Sequence, residues 1–314
     1  MGDIQIVEGT LQVDDVTLHT KSWFPSGPPK AKLIFIHGFS DHVDRYYDFF
    51  PTLARRGVAV YGFDQRGWGR SVRRPADKGR SGPTTTVLSD IAAFIRAKVL
   101  SSGGDDDDND DDIPVFMLGH SMGGGEVLTF ASTAEYDDII AKVKGFILEA
   151  PFLGFAPSVQ PSWLTVASGR LAAHVVPNFH LFKPVPPEHL SRDPEVQKSI
   201  ANDPLMHNTG TLEGLAGMID RAEFLSSGKL KLRPSVKSVF LAHGTGDMVT
   251  SFDKVKEWWG KQRLEDGTLK AYDGWFHQLH AEPGKEQYYQ DVGDWILERS
   301  SAGEQVSKAP EPKL

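Results

Sequence analysis

The sequence predicts an α/β fold, in which a mostly parallel central sheet of about eight strands carries helices on both faces. Short apolar runs near residues 32–37, 58–63 and 114–119 alternate with helical patterns near residues 44–56 and 87–101. Strands that alternate with helices are joined by crossovers, and crossovers produce parallel pairing with both faces of the sheet covered. The 39% hydrophobic content of the 314 residues is sufficient for a sizeable core.

The N-terminal segment predicts an antiparallel hairpin at one edge of this sheet. Residues 4–13 and 16–23 have strand-like patterns and flank an aspartate pair at residues 14–15. Apolar runs return in the last third of the chain, so we expect residues 1–151 and 226–301 to form one core together.

An acidic run interrupts the core between a predicted helix and a predicted strand. Seven aspartates lie within residues 105–112 and account for most of the formal net charge of −8. Like charges at this density repel, so residues 103–112 predict a disordered surface loop. A calcium site there is disfavoured because the EF-hand spacing and its glycine are missing. Residues 302–314 predict a flexible tail.

The run GHSMG at residues 119–123 stands between an apolar strand and a helical stretch. In a nucleophile elbow of this form, the chain turns sharply from strand to helix and exposes one serine side chain. Glycine is needed on both sides because a Cβ there is expected to collide with the neighbouring strand or helix. The helix N-terminus adds N–H groups that favour developing negative charge. The pattern predicts Ser121 as a nucleophile, and the alternative is a tight turn with an ordinary serine.

Two later loops predict the partners of Ser121, in the chain order serine, acid, histidine. The apolar strand near residues 239–243 leads into a glycine-punctuated loop that carries Asp247. A helical stretch and a short strand near residues 269–272 then precede a loop that carries His277. We therefore predict that His277 removes the proton of Ser121 and that Asp247 orients the imidazole.

Other polar residues compete for these roles. His280 is a weaker candidate base than His277 because it lies three residues farther from the strand end. Glu149 ends an apolar strand and is the alternative acid, since some folds of this kind place their acid there. His243 is interpreted as a structural residue, and Asp273 as a turn residue before a glycine.

An early strand that runs into the His-Gly pair at residues 37–38 predicts an oxyanion hole. Its expected donors are the backbone N–H groups of Phe39 and of Met122, the residue after the serine. Each such donor lowers the barrier by about 3 kcal/mol. No metal site is predicted, because His277 and His280 lack a clear third ligand. No dinucleotide or phosphate-binding fingerprint occurs, so we expect no cofactor.

Composition disfavours several classes of protein. The chain has no basic field of the kind that binds nucleic acid. It has no cysteine, which excludes disulfides and fits an intracellular setting. The first residues lack the charged and apolar regions of a signal peptide, and no run approaches 18 apolar residues. We therefore expect an intracellular protein without a membrane-spanning segment.

Together these motifs resemble the monoacylglycerol lipase family of serine α/β-hydrolases over about residues 10–298. The resemblance lies in HGFSDH at residues 37–42, in DQRGWGRS at residues 64–71, in the elbow at residues 119–123, and in the acid and base loops. It implies the α/β-hydrolase fold and hydrolysis of monoacylglycerol to fatty acid and glycerol through an acyl-enzyme on Ser121.

The resemblance also implies a polar site for the glycerol part of the substrate, formed by Asp41, Arg45 and His280. Two features depart from the family pattern. Thr250 stands where some animal members carry a cysteine shortly after the acid, and the acidic insertion is additional. Because the chain has no thiol, we expect thiol-directed inhibitors to have no effect.

Residues 152–225 contain no strand pattern and predict a helical cap over the Ser121 site. Within this cap, residues 163–176 predict an apolar helix with few charges. Its apolar side chains either pack on the core or line an acyl tunnel and touch a membrane or lipid droplet, and we expect a mixture of these. The residues of this helix that we expect to contact substrate are Trp163, Leu164 and Leu171.

Two other functions stay open. A lysophospholipase or a general carboxylesterase would use the same triad on a different ester. A lipid-binding protein on a hydrolase fold would use the cavity without turnover. The intact elbow, His-Gly pair and acid and base loops favour the enzymes over the binding protein.

Overall fold

The structure, a computed structural model, describes residues 3–100 and 113–306. Its strands are long where they form the central sheet and short in the segment that lies above it. In chain order the strands are β1 (Gln5–Val13), β2 (Val16–Phe24), β3 (Ala31–Ile36), β4 (Val58–Phe63), β5 (Val115–His120), β6 (Val143–Glu149), β7 (His180–Phe182), β8 (Thr209–Thr211), β9 (Ser238–Gly244) and β10 (Asp266–Tyr272).

Eight of these strands form one sheet in the order β1-β2-β4-β3-β5-β6-β9-β10. The strands from β4 to β10 in this order are parallel to their neighbours, while β1 pairs antiparallel with β2 and β2 with β4. The predicted mostly parallel sheet and its edge hairpin are therefore confirmed. The register sets His120 opposite Glu149 and Tyr272 opposite Gly244, so these strands end at a common edge.

Helices cover both faces of the sheet. In chain order they are α1 (Phe49–Arg55), α2 (Thr84–Lys98), α3 (Met122–Phe130), α4 (Asp137–Ile140), α5 (Trp163–Val175), α6 (Pro187–Leu190), α7 (Pro194–Ala201), α8 (Leu212–Ser226), α9 (Phe252–Gly260) and α10 (Glu286–Val306). Ile34 and Ile36 of β3 pack in the core cluster that includes α2, α3 and α9, whereas Leu33 and Phe35 pack in the cluster that includes α1 and α10. Both faces of β3 are thus buried, which explains its continuous apolar sequence.

The predicted helix at residues 44–56 is wrong in its extent. A 3₁₀ turn over Val43–Tyr46 precedes α1, and Tyr47 between them has a φ of +44°. A residue with a left-handed backbone conformation interrupts α-helical geometry, so the 3₁₀ turn and α1 are separate elements.

The segment between β6 and β9 contains α5, α6, α7 and α8, together with the antiparallel ribbon of β7 and β8. The expectation of no strand in this segment is corrected by this ribbon. Strands of three residues are too short to produce a recognisable period. None of the helices in the described ranges combines the length and the apolar character needed to cross a membrane.

Two predicted flexible segments fall largely outside the described residues. The acidic loop, residues 103–112, lies outside them, as do residues 307–314 of the predicted tail. Helix α10 continues to Val306, past the predicted end of the core at residue 301. The first proline after this point is at position 310, so no proline interrupts the last turn.

Candidate active site

Ser121 occupies the sharp turn between β5 and α3. Its φ of +55° lies in the left-handed region, which non-glycine residues rarely adopt. A Cβ on Gly119 would lie 2.4 Å from the carbonyl oxygen of Gly123, and one on Gly123 would lie 2.3 Å from that of Ile36. The two glycines are required for the reason expected from the sequence, and the turn presents the serine side chain at the edge of the sheet.

The structure brings together the three residues predicted as a triad. His277 Nε2 lies 2.9 Å from Ser121 Oγ, and His277 Nδ1 lies 2.8 Å from Asp247 Oδ2. An ionised carboxylate accepts only, so Nδ1–H donates to Asp247 and leaves Nε2 as the acceptor for the serine hydroxyl. This is the tautomer that a serine nucleophile needs.

Asp247 is held by further donors in the loop after β9. Its Oδ1 accepts the backbone N–H groups of Val249 at 2.7 Å and Thr250 at 3.0 Å, and its Oδ2 accepts the Thr250 hydroxyl at 2.7 Å. Burial raises the pKa of Asp247, but the attraction and hydrogen bond of His277 outweigh it and hold that pKa well below its usual range. The carboxylate therefore stays ionised next to the imidazole.

His243 and Asp273 lie beside the triad and are not members of it. His243 is fully buried, its Nδ1 pairs with the carbonyl of Gly244 at 2.9 Å, and its Nε2 lies 3.2 Å from the Thr250 hydroxyl. Burial lowers the pKa of His243, which keeps the ring neutral. Asp273 accepts the hydroxyl of Thr245 at 3.1 Å.

Glu149, the alternative acid, and His280, the alternative base, form a hydrogen bond with each other. Glu149 Oε1 accepts His280 Nδ1–H at 2.7 Å and the His280 backbone N–H at 3.1 Å. Glu149 Oε2 accepts the Tyr288 hydroxyl at 3.2 Å. Glu149 and His280 are both fully buried. Glu149 as the partner of His277 is therefore contradicted by the geometry, because its oxygens are directed at a different histidine.

The His-Gly turn after β3 is supported by the loop that follows β4. Gln65 donates its backbone N–H to His37 Nε2 at 2.8 Å, and its side-chain amide to the His37 carbonyl at 2.8 Å. A Cβ on Gly38 would lie 3.2 Å from the Cβ of Ser121, so the turn passes directly beside the serine. The DQRGWGRS loop thus fixes the turn that carries the predicted oxyanion donor.

An apolar cavity of about 470 Å³ opens at Ser121. Phe39 and Met122, which carry the two predicted oxyanion N–H groups, lie on its lining. Leu215 and Ile219 of α8 form part of its far wall. This wall was not predicted from the sequence, although the spacing of apolar residues between positions 212 and 225 is that of an amphipathic helix.

Helix α5 lines this cavity with the face opposite to the one predicted. Val166 and Gly169 are on the lining. Trp163, Leu164 and Leu171 are outside it, with exposed fractions of 76%, 60% and 69%. Their assignment as substrate contacts inside the tunnel is therefore wrong, because the helical period of 3.6 turns positions 163, 164 and 171 to the outside.

A second chamber, of about 310 Å³, adjoins this cavity and also has Ser121 on its lining. Asp41, Asp203 and Gln278 contribute polar groups to its lining, and His277 borders it. Burial raises the pKa of Asp41, but the neighbouring His120, whose Nδ1 lies 3.8 Å from Asp41 Oδ2, attracts the carboxylate and holds this pKa well below its usual range. The lining of this chamber is mixed, and a larger share of it is polar than in the apolar cavity.

Only one of the three residues expected at the glycerol end lies on this chamber's lining, within the part of the chain that the structure describes. Asp41 is there, whereas Arg45 and His280 lie behind it. Arg45 donates to the Ser199 hydroxyl at 2.8 Å and faces Asp203 at 3.5 Å. Arg45 therefore acts on the chamber through Asp203. Asp203, Gln278 and His120 were missed by the sequence analysis, although His120 stands inside the GHSMG run.

Comparisons with known proteins show the family of this chain. The family described as serine aminopeptidase, S33 (Hydrolase_4) matches residues 27–284. A Schizosaccharomyces pombe protein with the provisional name monoglyceride lipase is 33% identical over 300 residues, which cover 94% of this chain and 75% of that protein. The Mus musculus monoglyceride lipase is 28% identical over 300 residues, covering 93% of this chain and 90% of that protein.

The fold is also found among solved structures. A soluble variant of the Saccharomyces cerevisiae monoglyceride lipase, crystallised with a substrate analogue, matches with a TM-score of 0.82 and 20% sequence identity. The match covers 93% of this chain and 94% of that one. The predicted α/β-hydrolase fold is thereby confirmed.

Proposed function

Since the chain belongs to the serine aminopeptidase S33 family and is a serine hydrolase, we propose that it hydrolyses monoacylglycerol to a fatty acid and glycerol. The observation that carries this proposal is that Ser121 lines two adjoining spaces, a strongly apolar cavity and a smaller chamber that holds the polar groups of Asp41 and Asp203. An ester with one long acyl chain and a small polyol head matches this division. The relatives named monoglyceride lipase support the same substrate class.

The acylation half of the reaction begins at Ser121. As its Oγ bonds to the ester carbonyl carbon, the hydroxyl proton passes to His277 Nε2, 2.9 Å away. The carbonyl oxygen becomes an oxyanion, which the N–H groups of Phe39 and Met122 stabilise. When the tetrahedral intermediate collapses, the C–O bond to glycerol breaks and His277 donates its proton to the leaving oxygen.

Deacylation repeats these steps with water in place of the serine. His277 takes a proton from water, whose oxygen bonds to the acyl carbon and forms a second oxyanion. The bond to Ser121 Oγ then breaks, the serine recovers its proton from His277, and the fatty acid leaves. Asp247 stabilises the imidazolium in both halves and keeps its own charge, which the lowering of its pKa supports.

The two cavities give the substrate its orientation. An acyl chain in the cavity under residues 152–225, which we take as a cap, leaves water with about 0.8 kcal/mol of stabilisation for each buried methylene. A volume of about 470 Å³ lies within the range of sites for molecules of this size. Asp41, Asp203 and Gln278 offer hydrogen-bonding groups for the glycerol hydroxyls in the adjoining chamber.

The proposal is tested by labelling and by turnover. We expect a fluorophosphonate probe to label the wild-type protein and to leave Ser121→Ala unlabelled. We expect monoolein to be cleaved faster than lysophosphatidylcholine, because the chamber is small and is bordered by the carboxylates of Asp41 and Asp203. Failure of the wild type to label supports the lipid-binding alternative. Faster cleavage of lysophosphatidylcholine supports the lysophospholipase.

We also propose that the outer face of α5 touches a membrane or lipid droplet. Trp163, Leu164 and Leu171 expose large apolar side chains next to the cavity mouth, and apolar side chains of this kind insert at lipid interfaces. We expect the double substitution Trp163→Ser/Leu171→Ser to reduce sedimentation with phosphatidylcholine vesicles. The matched control is Ile6→Ser, since Ile6 is 49% exposed on the distant edge hairpin. Equal sedimentation of all three proteins would contradict the proposed contact.

A further inference from the structure

Helix α8 presents different residues to the cavity and to the core. Leu215 and Ile219 line the apolar cavity, whereas Arg221, Ala222 and Leu225 are buried. An arginine on the core-facing side of a cavity wall is unexpected, since taking a guanidinium out of water is unfavourable unless the charge finds a partner.

The partner of Arg221 is Glu126 on α3. Arg221 Nη2 donates to Glu126 Oε1 at 3.0 Å, and Nη1 donates to the Thr84 hydroxyl, at the start of α2, at 3.1 Å. Glu126 is 1% exposed and Arg221 is 5% exposed. One buried side chain therefore connects the cavity wall to two helices of the core.

The Glu126 end of this connection is close to the nucleophile. Glu126 lies on the helix that begins directly after Ser121. Met122 of that helix packs in the same apolar cluster as Met218 of α8. The side chain of Gln65, which supports the oxyanion turn, also faces Glu126. The position of α8 is thus set relative to the reacting centre itself.

We do not expect this pair to add net stability, because burial works against the charge of both partners. Burial raises the pKa of Glu126 to about 7, against the opposing effect of Arg221. Burial likewise lowers the pKa of Arg221, against the charges of Glu126 and Asp220. Both directions indicate that desolvation outweighs the mutual attraction. Buried pairs of this kind are neutral or unfavourable for stability, and their best attested role is to select one register between packed elements.

We propose that Glu126 and Arg221 are positioning residues, which hold α8 in the one register where the cavity fits a long acyl chain. A slip of α8 by one residue rotates its side chains by about 100°. That slip would rotate Leu215 and Ile219 away from the cavity. It would also leave Arg221 buried without its partner Glu126. Because Leu215 and Ile219 line the cavity that we assign to the acyl chain, we expect the pair to set the preference for long over short esters.

This inference rests on the proposed function, and its test uses a variant designed to fold. In Glu126→Gln/Arg221→Met, side chains of similar size remove both charges, while the amide oxygen introduced at position 126 still accepts from Gln65 and leaves the oxyanion turn supported. We expect an unfolding temperature close to that of the wild type. Turnover is measured on p-nitrophenyl esters from acetate to palmitate. We expect kcat/KM for the acetate to stay within about twofold and that for the palmitate to fall about tenfold.

Two further variants separate positioning from ordinary destabilisation. Arg221→Lys keeps a cation opposite Glu126, and we expect it to recover part of the long-chain preference. Asp137→Asn weakens the bidentate pair with Arg233, whose two bonds are 2.8 Å long and lie away from the cavity. We expect this control to leave kcat/KM unchanged for both the acetate and the palmitate.

An equal loss on all esters, or a profile that does not change with chain length, overturns the inference. A wild type that cleaves the p-nitrophenyl series but not monoolein refutes the proposed substrate instead. The monoolein assay and the chain-length series therefore distinguish the failure of one proposal from the failure of the other.

Discussion

Two carboxylate–histidine pairs lie side by side at the edge of the sheet. In one, Asp247 accepts His277 Nδ1–H at 2.8 Å, and in the other Glu149 accepts His280 Nδ1–H at 2.7 Å. The pairs differ at the far nitrogen of each ring. His277 Nε2 meets the hydroxyl of Ser121 at 2.9 Å, whereas His280 Nε2 is buried and has no hydrogen-bond partner among the described residues.

This difference teaches that a carboxylate–histidine pair is not by itself a catalytic unit. Its outer nitrogen also has to meet a nucleophile at the surface of a cavity. The Glu149–His280 pair instead contacts two tyrosines. The centre of the His280 ring lies 4.2 Å from that of Tyr46, and the Tyr288 hydroxyl donates to Glu149. We therefore assign the first pair to proton transfer and the second to support of the site.

The largest expected contrast is between the two histidines. We expect His277→Gln to reduce kcat by about 10⁴ to 10⁶, because no base then receives the proton of Ser121. We expect His280→Gln to keep kcat within about tenfold while lowering the free energy of unfolding by about 1–3 kcal/mol. Monoolein turnover and urea unfolding measure the two effects. A comparable loss of turnover in both variants would refute the assignment.

The next contrast is between the two carboxylates. Asp247→Asn places an amide next to His277 and favours the tautomer in which Nε2 carries a proton, so we expect kcat to fall about 10⁴-fold. For Glu149→Gln we expect turnover within about tenfold of the wild type, since the amide oxygen still accepts from His280. Single-turnover kinetics on folded protein provide the comparison. The assignment is reversed if Glu149→Gln loses more activity than Asp247→Asn.

The same carboxylates predict the response of stability to acid. The folded protein lowers the pKa of both Asp247 and Glu149, in each case because neighbouring histidines outweigh burial. Their ionised forms therefore stabilise the fold above the unfolded pKa values near 4, and this contribution is lost as pH falls through the folded values. We therefore expect each carboxylate to add to the free energy of unfolding at pH 7 and to lose this contribution in acid.

Urea unfolding between pH 7 and pH 3 measures this contribution. In Asp247→Asn and Glu149→Gln the decline of the free energy of unfolding with acid should be shallower than in the wild type. A decline of unchanged slope in both variants would show that other groups cause it.

The smallest expected effect concerns Thr250, which donates to the acid of the first pair at 2.7 Å. Thr250→Val removes this hydroxyl and keeps the shape, so we expect kcat to fall about three- to tenfold. Thr250→Ser retains the hydroxyl and is the matched control.

Because the chain has no cysteine, N-ethylmaleimide should leave the wild type fully active. Loss of activity with this reagent would mean that another group reacts.

The sequence predicted the order of the elements and the three residues that meet at the edge of the sheet. The glycines at positions 119 and 123 mark the turn after one predicted strand. The loops that carry Asp247 and His277 each follow another predicted strand, so all three positions could be found from short stretches of sequence. The face of α5 that lines the cavity was predicted wrongly. Apolar residues occur on both sides of this helix, so its pattern does not define one buried face.

The sequence by itself determined the parallel sheet, the elbow at Ser121 and the chain order of acid and base, because the period of apolar residues and the needs of a tight turn are local properties. Only the tertiary structure decided that Glu149 bonds to His280, and that α8 forms a cavity wall and is joined to the core by Arg221. These depend on contacts between residues far apart in the chain, and such contacts exist only once the sheet has brought its strand ends together.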